Sequence, residues 1–328
     1  MYRALVAEKE EDGFKRSVKE LRLRDLPDND TLVRVMYSSL NYKDALSATG
    51  NRGVTRKFPH TPGIDAAGVV EETESSLVET GDEVIVTSYD LGMNTPGGFG
   101  EYIRVPAEWI VRLPAGLSLK QSMIYGTAGF TAGMSVYELV SRINHSDGEI
   151  LVTGATGGVG SMAVSILSGL GYSVACVSGK PDAADYLKPL GAGRIIDREA
   201  FLKDHEKPLL KETWAGGIDT AGGQILACTV KSAKLSGVVT CCGNAASGDL
   251  PLTVFPFILR GVSLAGIDSQ HCPMELRQKV WNRLAGDWKV EGLESICTET
   301  GLDGLDHYIH RVLKGEMTGR VVVKVCDD

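Results

Sequence analysis

The first half of this chain contains no cysteine, although the full 328 residues include seven. All of them follow residue 175, at Cys176, Cys228, Cys241, Cys242, Cys272, Cys297 and Cys326. An odd number without regular spacing argues against a disulfide framework, and the sequence has no C-x-x-C redox motif. We therefore expect reduced cysteines and a cytoplasmic protein.

Two further absences narrow the class of function. No apolar stretch approaches the roughly 18 residues of a membrane span, and residues 8–12 are all charged, unlike a secretory signal. The formal net charge of -8 argues against a surface that tracks nucleic-acid phosphates. We expect a small-molecule substrate, and neither nucleic acid nor membrane as a partner.

The pattern of apolar runs changes near residue 118. Short β-branched runs separated by turn residues come before it, at 3–8, 32–38, 67–72, 83–88 and 101–105. Such runs predict a small barrel or sandwich. The length suffices for two domains, each with its own core.

From residue 118 to about 269, strand-like runs alternate with helical ones. Strands are predicted at 149–152, 173–177, 194–196, 216–219, 238–242 and 263–266, and helices at 158–170 and 183–190. Two helices, 274–285 and 303–313, then precede a last strand at 319–325. Strand–helix alternation predicts a parallel sheet, so the chain is predicted to be α/β, with a β-rich domain (1–120 and 270–328) interrupted by a nucleotide-binding domain (121–269).

A glycine-rich turn joins the first of these strands to the first helix. Gly154, Gly157 and Gly160 follow each other at intervals of three residues. A helix N-terminus offers free N–H groups to a pyrophosphate, and glycine lets the backbone approach it. An isolated glycine-rich match is a ligand-free βα turn about as often as it is a nucleotide site. Here, however, the strand, turn, helix and next strand all follow in order, which favours a nucleotide site. We predict that a dinucleotide binds at Thr156, Gly157, Gly158, Val159 and Gly160.

The end of the next strand indicates which dinucleotide. An NAD site has an acidic residue there, for the ribose 2′-OH. This chain has Ser178, Gly179 and Lys180 instead, and Arg198 stands at the following βα junction. These side chains suit a 2′-phosphate, so we predict NADPH rather than NADH; the alternative for Lys180 is a solvated loop charge.

Four motifs occur in the order found in one known family, at residues 41–44, 62–68, 126–132 and the glycine-rich turn. The chain resembles the medium-chain dehydrogenase/reductases, and within them the quinone oxidoreductase division. Runs at 152–155, 256–260 and 319–325 make it similar to the acrylyl-CoA reductase branch. The resemblance implies a GroES-like β-rich catalytic domain, a Rossmann doubly wound domain, and a homodimer.

The resemblance also allows the metal positions of the family's zinc alcohol dehydrogenases to be checked. Asn41, Ile64 and Ala128 stand where those enzymes carry their three ligands. None of the three supplies the thiolate or imidazole that zinc requires. We therefore expect no metal. Because alcohol oxidation in this family uses the metal, we expect a more easily reduced substrate, such as a conjugated C=C.

The resemblance implies roles for several further residues. Tyr42 would face the nicotinamide and donate to a developing enolate, or else form only a stacking wall. Asn41 would be a second donor, or else brace the backbone. Three other residues resemble positions that touch NADPH in this branch, Asn244, Ser269 and Arg320.

Three functions remain open at this point. The leading one is NADPH-dependent reduction of a short enoyl thioester, acrylyl-CoA to propionyl-CoA by resemblance. The second is quinone or reactive-enone reduction, and the third is an NADPH-binding interaction protein without turnover.

One short loop of this otherwise acidic chain contains three basic residues, Arg52, Arg56 and Lys57. We predict that they bind the anionic part of CoA; the alternative is a solvated basic surface. The apolar run at 254–259, with the strand at 263–266, is a predicted dimer contact, or else core.

Overall fold

A computed structural model describes residues 1–326 of the chain and divides it into two compact units. Unit 1 comprises residues 1–127 and 270–285 and the described residues from 292 onward, and unit 2 comprises 128–269 and 286–291. The first division falls inside a long helix, Leu119–Val140, which is interrupted at Gly126 (φ 50°, ψ −156°). The sequence pattern placed that boundary at 120/121 and assigned 286–291 to the β-rich domain.

The elements follow one another in the predicted alternation. The strands are β1 Tyr2–Glu10, β2 Gly13–Leu21, β3 Thr31–Leu40, β4 Asp65–Thr73, β5 Glu83–Thr87, β6 Tyr102–Val105, β7 Ile110–Arg112, β8 Ile150–Thr153, β9 Val174–Ser178, β10 Arg194–Asp197, β11 Trp214–Asp219, β12 Ala233–Cys241, β13 Ser263–Gly266, β14 Cys297–Gly301 and β15 Arg320–Lys324. The α-helices are α1 Tyr42–Ala48, α2 Leu119–Val140, α3 Gly158–Gly169, α4 Ala183–Leu187, α5 Arg198–Leu202, α6 Gly223–Lys231, α7 Phe255–Arg260, α8 Met274–Ala285 and α9 Leu305–Leu313.

Unit 1 is built on a seven-stranded sheet and a hairpin. The sheet order is β14-β15-β3-β4-β5-β7, with β6 also paired to β3, and β1 and β2 form the hairpin. Valine, isoleucine and alanine from these strands form its buried core. At Gly68 a Cβ atom would lie 1.9 Å from the Arg34 carbonyl oxygen, so β3 and β4 can approach this closely only with glycine there. The predicted GroES-like architecture is confirmed.

Unit 2 is a doubly wound parallel sheet, as predicted. Its order is β10-β9-β8-β11-β12-β13, and every residue of β8, β9 and β11 is buried. Strands covered on both faces read as continuous apolar runs, which is why the sequence pattern found them. The order reverses between β8 and β11, and in such sheets ligands bind beyond the carboxyl ends of the strands at that point.

The apolar run at 254–259 is only partly core, because Pro256 is buried and Phe257 packs against the core of unit 2 while its other side chains face outward. It forms α7, and Val254, Ile258 and Leu259 are each at least 60% exposed. The next strand, β13, is an edge of the parallel sheet within unit 2. Among residues 1–326 no helix is both long and apolar enough to cross a bilayer.

Candidate nucleotide and catalytic site

The glycine-rich turn of unit 2 has the geometry of a phosphate cradle. Gly154 adopts φ +58° at the end of β8, and Gly157 caps α3. A Cβ atom on Gly154 would lie 2.2 Å from the Thr220 hydroxyl oxygen, and one on Gly160 would lie 2.4 Å from the Gly154 carbonyl oxygen. Larger residues would push strand and helix apart, so the turn exposes its backbone N–H groups to a ligand only with glycine at these positions.

A buried carboxylate holds this turn against the neighbouring strand. Asp219, at the end of β11, accepts hydrogen bonds from the Thr153 hydroxyl (2.6 Å) and the Gly222 N–H (2.7 Å). The Thr220 hydroxyl donates in turn to the Thr153 carbonyl oxygen (2.9 Å). Burial raises the pKa of Asp219 above its usual range. These bonds tie β8 to β11 where the sheet order reverses.

The predicted 2′-phosphate residues lie together in unit 2. Ser178 ends β9 and pairs in register with Asp197, directly before Arg198. The Arg198 Cζ atom lies 2.9 Å from where a Cβ of Gly179 would be, so its guanidinium rests on the Gly179 backbone. Arg198 is exposed and has no side-chain partner among the described residues, and Lys180 is half-buried. The structure thus brings Ser178, Gly179, Lys180 and Arg198 to one corner of the sheet.

Two other predicted cofactor residues also belong to unit 2. Asn244 is exposed in the loop after β12, and its Cα lies 3.1 Å from where a Cβ of Gly222 would be. Ser269 follows the edge strand β13 by three residues and is half-buried. The contact of each residue with the cofactor stays a prediction.

Unit 1 contains a buried network centred on Asp65, the first residue of β4. The carboxylate accepts hydrogen bonds from the Ser39 hydroxyl (2.5 Å), the Asn41 amide (2.7 Å) and both the N–H and hydroxyl of Thr127 (2.9 and 2.6 Å). Arg320 is 3.9 Å away, and both side chains are at most 3% exposed. Four hydrogen bonds and one ion pair around this carboxylate fix the start of β4 to the end of β3 and the start of β15.

The Arg320 guanidinium is committed to this network. It donates to the Ile124 and Leu40 carbonyl oxygens, to the Asn41 side-chain oxygen (3.1 Å) and to the Ser39 hydroxyl (2.8 Å). Contact of Arg320 with NADPH stays a prediction. Its four hydrogen bonds within unit 1 indicate that it holds the end of β3, the beginning of α2 and the start of α1 in place.

The Asn41 side chain is likewise occupied by internal partners. Its amide nitrogen donates to Asp65 and to Asp44 (2.7 and 3.2 Å), and its oxygen accepts from Arg320. Asp44 completes a capping box at the start of α1 and accepts from the Ile64 N–H (2.7 Å). Burial, with a smaller contribution from Asp65, raises the pKa of Asp44 to about 7. The geometry therefore favours bracing for Asn41 over direct donation to a substrate.

Tyr42 differs from its neighbours because it is half exposed (49%). It is the first residue of α1, directly after the braced Asn41, and its phenol has no partner among the described residues. A rigid backbone and a free hydroxyl are what a hydrogen-bond donor to substrate requires.

The basic loop presents its charges to solvent. Arg52, Arg56 and Lys57 are exposed, whereas Thr55 between them is buried and bonded to the Ser47 hydroxyl (2.6 Å). His60, at the end of the loop, is buried, and burial lowers its pKa. Thr55 and His60 therefore anchor the loop in the interior of unit 1, while its three basic side chains face solvent.

Sequence reasoning missed two members of the Asp65 network, Ser39 and Thr127. Thr127 lies within the motif at 126–132 but was not singled out, and Ser39 lies in no motif. Serine and threonine are common at strand ends and helix kinks, so neither hydroxyl stands out. Across residues 1–326, no three histidine, cysteine, aspartate or glutamate side chains gather closely enough to hold a metal ion.

Known proteins are similar in sequence to nearly the whole of this chain. The family of alcohol dehydrogenase GroES-like domains matches residues 27–115, and that of zinc-binding dehydrogenases matches 158–286. A putative quinone oxidoreductase YhfP of Bacillus subtilis is 44% identical and acrylyl-CoA reductase AcuI of Ruegeria pomeroyi 43% identical, each over 99% of both chains.

Two solved structures superpose closely. The yhdH oxidoreductase of Salmonella enterica, in complex with NADP, has a TM-score of 0.96 and 43% identity over 99% of this chain and 100% of its own. The yhfP protein of Bacillus subtilis, with NAD bound, has a TM-score of 0.96 and 45% identity over 98% and 99%. This chain therefore belongs to the medium-chain dehydrogenase/reductase family, in the group of its quinone oxidoreductase and acrylyl-CoA reductase relatives.

Proposed function

We propose that this chain is a zinc-independent, NADPH-dependent reductase of the conjugated C=C of a short enoyl thioester, with acrylyl-CoA as the favoured substrate. The observation that carries the proposal is Tyr42, an unpartnered phenol at a rigid helix start in a chain whose other unit holds a dinucleotide turn. The acrylyl-CoA reductase relative, at 43% identity, supports the substrate.

The side chains at the metal positions support zinc independence. Asn41 is already bonded to two carboxylates and a guanidinium, while Ile64 and Ala128 offer no donor atoms. A reaction without a Lewis acid suits an activated alkene, because a carbonyl conjugated to it already draws electron density.

Bound NADPH would supply a hydride to the β-carbon of such a substrate. The chain's own task is to stabilise the negative charge that then develops on the thioester oxygen. Tyr42 donates a hydrogen bond from its hydroxyl to that oxygen, and a proton from solvent then adds to the α-carbon, which gives the saturated thioester. Asn41, Asp44, Asp65 and Arg320 hold the start of α1 so that the phenol stays in place.

Cofactor preference is the first testable consequence. Replacing Lys180 with alanine is expected to raise the KM for NADPH about tenfold, roughly 1.4 kcal/mol, because a 2′-phosphate loses one cation. The KM for NADH should stay nearly unchanged. Since one relative was solved with NADP and another with NAD, both cofactors are titrated with each variant. Arg198→Ala is the companion variant, and equal losses with both cofactors would remove this assignment.

The basic loop is proposed to bind the phosphates of CoA. Replacing Arg52, Arg56 and Lys57 with glutamine should raise the KM for acrylyl-CoA and flatten its salt dependence, because exposed cations attract a polyanion mainly at low ionic strength. Activity on a small uncharged enone should not change, since it carries no phosphate. An unaltered KM for the thioester would leave the loop without this role and favour the enone reading.

We also propose a homodimer that buries the exposed face of α7. Val254, Ile258 and Leu259 form an apolar patch beside the edge strand β13, and such patches commonly mark interfaces. Light scattering at micromolar concentration should give twice the chain mass, and Ile258→Lys should give the chain mass. A wild-type monomer would contradict the dimer, while Leu235→Lys, at another exposed leucine, serves as the control.

NADPH oxidation with acrylyl-CoA, crotonyl-CoA and 1,4-benzoquinone tests the function itself, in the presence of a strong chelator. We expect the highest kcat/KM with acrylyl-CoA. A highest value with benzoquinone would favour quinone reduction, the function named for the Bacillus subtilis relative. Tight NADPH binding without any turnover would identify an interaction protein instead, and loss of activity in chelator would contradict zinc independence.

A further inference from the structure

Unit 1 contains an open pocket of about 870 Å³ to which no residue role has been assigned above. Helix α8 forms one wall and β7 with its flanking residues forms another, and Tyr89 and Trp109 stand between them. The two rings stack with their centroids 5.3 Å apart. The volume is within the usual range for small-ligand sites.

Two chains of hydrogen bonds place one end of this pocket beside the Asp65 network. Ser88, the neighbour of Tyr89, bonds through its hydroxyl to that of Thr127 (2.9 Å), which donates to Asp65. On the other side Lys43 donates to Gln270 (2.7 Å), directly before the pocket residue His271. Within unit 1, the pocket residues Tyr89 and His271 therefore directly follow residues that are bonded to Thr127 and to Lys43, the neighbour of Tyr42.

Helix α8 is held rigidly against that end. Arg277 is fully buried and donates to the carbonyl and hydroxyl oxygens of Thr87, both at 3.0 Å. Its guanidinium also lies 4.3 Å from the centre of the Tyr89 ring. Ser88 and Tyr89 have positive φ angles of 66° and 49°, a costly conformation that persists only where its surroundings enforce it. Such strain concentrates at ligand sites.

The pocket face of α8 carries a row of three side chains, Met274, Gln278 and Asn282, four residues apart. Side chains at this spacing lie on one face of a helix, separated along its axis by about 6 Å. Gln278 and Asn282 are exposed, and their amides have no partner among the described residues. Two free primary amides therefore lie along α8 at increasing distance from the end of the helix that adjoins Gln270.

The rest of the lining mixes aliphatic, aromatic and polar groups and carries little formal charge. Its formal charges are Glu108 and Arg112, and Arg112 is already paired with Asp82 (3.2 Å). Such a surface does not select phosphate. It suits an uncharged, linear chain that carries amide groups.

We propose that this pocket binds the pantetheine arm of the thioester substrate, with Gln278 and Asn282 hydrogen-bonded to its two amides. Those amides are joined by a β-alanine link, one methylene longer than the 3.8 Å peptide unit, so they repeat at about 5 Å. This spacing is close to the 6 Å step between the two side chains. The inference rests on the proposed thioester substrate and adds the site that recognises the arm between acyl group and phosphates.

The test uses the near-isosteric substitutions Gln278→Met and Asn282→Leu, singly and together. The double variant should raise the KM for acrylyl-CoA about tenfold, as two hydrogen bonds of ordinary strength imply, and leave its kcat unchanged. The KM for NADPH and the activity on a small enone should not move. The acrylyl thioester of N-acetylcysteamine has a single amide, next to the sulfur, so it should respond to Gln278→Met and not to Asn282→Leu.

Lys279→Gln is the matched control, because Lys279 lies on the same helix, is paired with Glu275 and does not line the pocket. In the wild-type enzyme, S-methylpantetheine should compete with acrylyl-CoA and not with NADPH, which tests the pocket without any variant. Wild-type reduction of acrylyl-CoA with an unchanged KM in the double variant would overturn the pantetheine site alone. Failure of the wild type to reduce any thioester, with enone reduction intact, would instead overturn the proposed substrate.

Discussion

Replacing Asp65 with alanine is expected to destabilise unit 1 by about 3–5 kcal/mol, because it leaves the buried guanidinium of Arg320 without its carboxylate. The same substitution removes the acceptor for Ser39, Asn41 and the Thr127 backbone. Buried donors without an acceptor add to the loss. Urea unfolding followed by fluorescence measures the change.

A surface ion pair provides the comparison for this prediction. Glu138, near the end of α2, pairs with Arg142, two residues beyond that helix, and both are partly exposed, so Glu138→Ala should change stability by less than about 1 kcal/mol. A second check combines Asp65→Ala with Arg320→Met, and the pair should lose less stability than the two single variants summed. A loss below 1 kcal/mol for Asp65→Ala would mean that the network does not hold unit 1 together.

All six strands of unit 2 could be predicted from the sequence, as could helices α3 and α4, whereas helices α5, α6 and α7 were not predicted. Helix α3 and strand β13 lie within a residue of their predicted bounds, because fully buried strands and glycine-rich turns leave strong local patterns. The role of α7 was open as well. Its apolar residues were predicted to form a dimer contact, with core as the alternative, and the exposure of Val254, Ile258 and Leu259 favours a contact surface.

Unit 1 was less predictable from the sequence, because one strand has a weak apolar pattern and the key hydrogen bonds join residues that are distant in sequence. The β2 strand has no fully buried residue, so its apolar signal is weak. Asn41 could be recognised as a site residue from its motif. Its bracing role depends on Arg320, 279 positions away in sequence, and on Asp65, and no local pattern encodes such a distant hydrogen bond.

Replacing Tyr42 with phenylalanine is expected to lower kcat for acrylyl-CoA by roughly 100-fold or more, the usual loss when a positioned proton donor is removed. The ring remains, so the KM for NADPH should change little, and α1 should keep its fold because the phenol has no internal partner. Steady-state kinetics with both substrates separates these effects. Tyr137→Phe, at a similarly exposed tyrosine of unit 2, is the control.

The comparison of Tyr42→Phe with Tyr42→Ala then distinguishes the two roles open to this side chain. A donor is lost in both variants, so both should be slow. A stacking wall survives in phenylalanine and is lost in alanine, so that role predicts a kcat near wild type for the first and a low one for the second. If Tyr42→Phe keeps kcat within twofold, the proton that stabilises the developing charge comes from elsewhere. Asn41 could not supply it without giving up a bond to Asp44 or Asp65, so the donor would then be solvent or the cofactor itself.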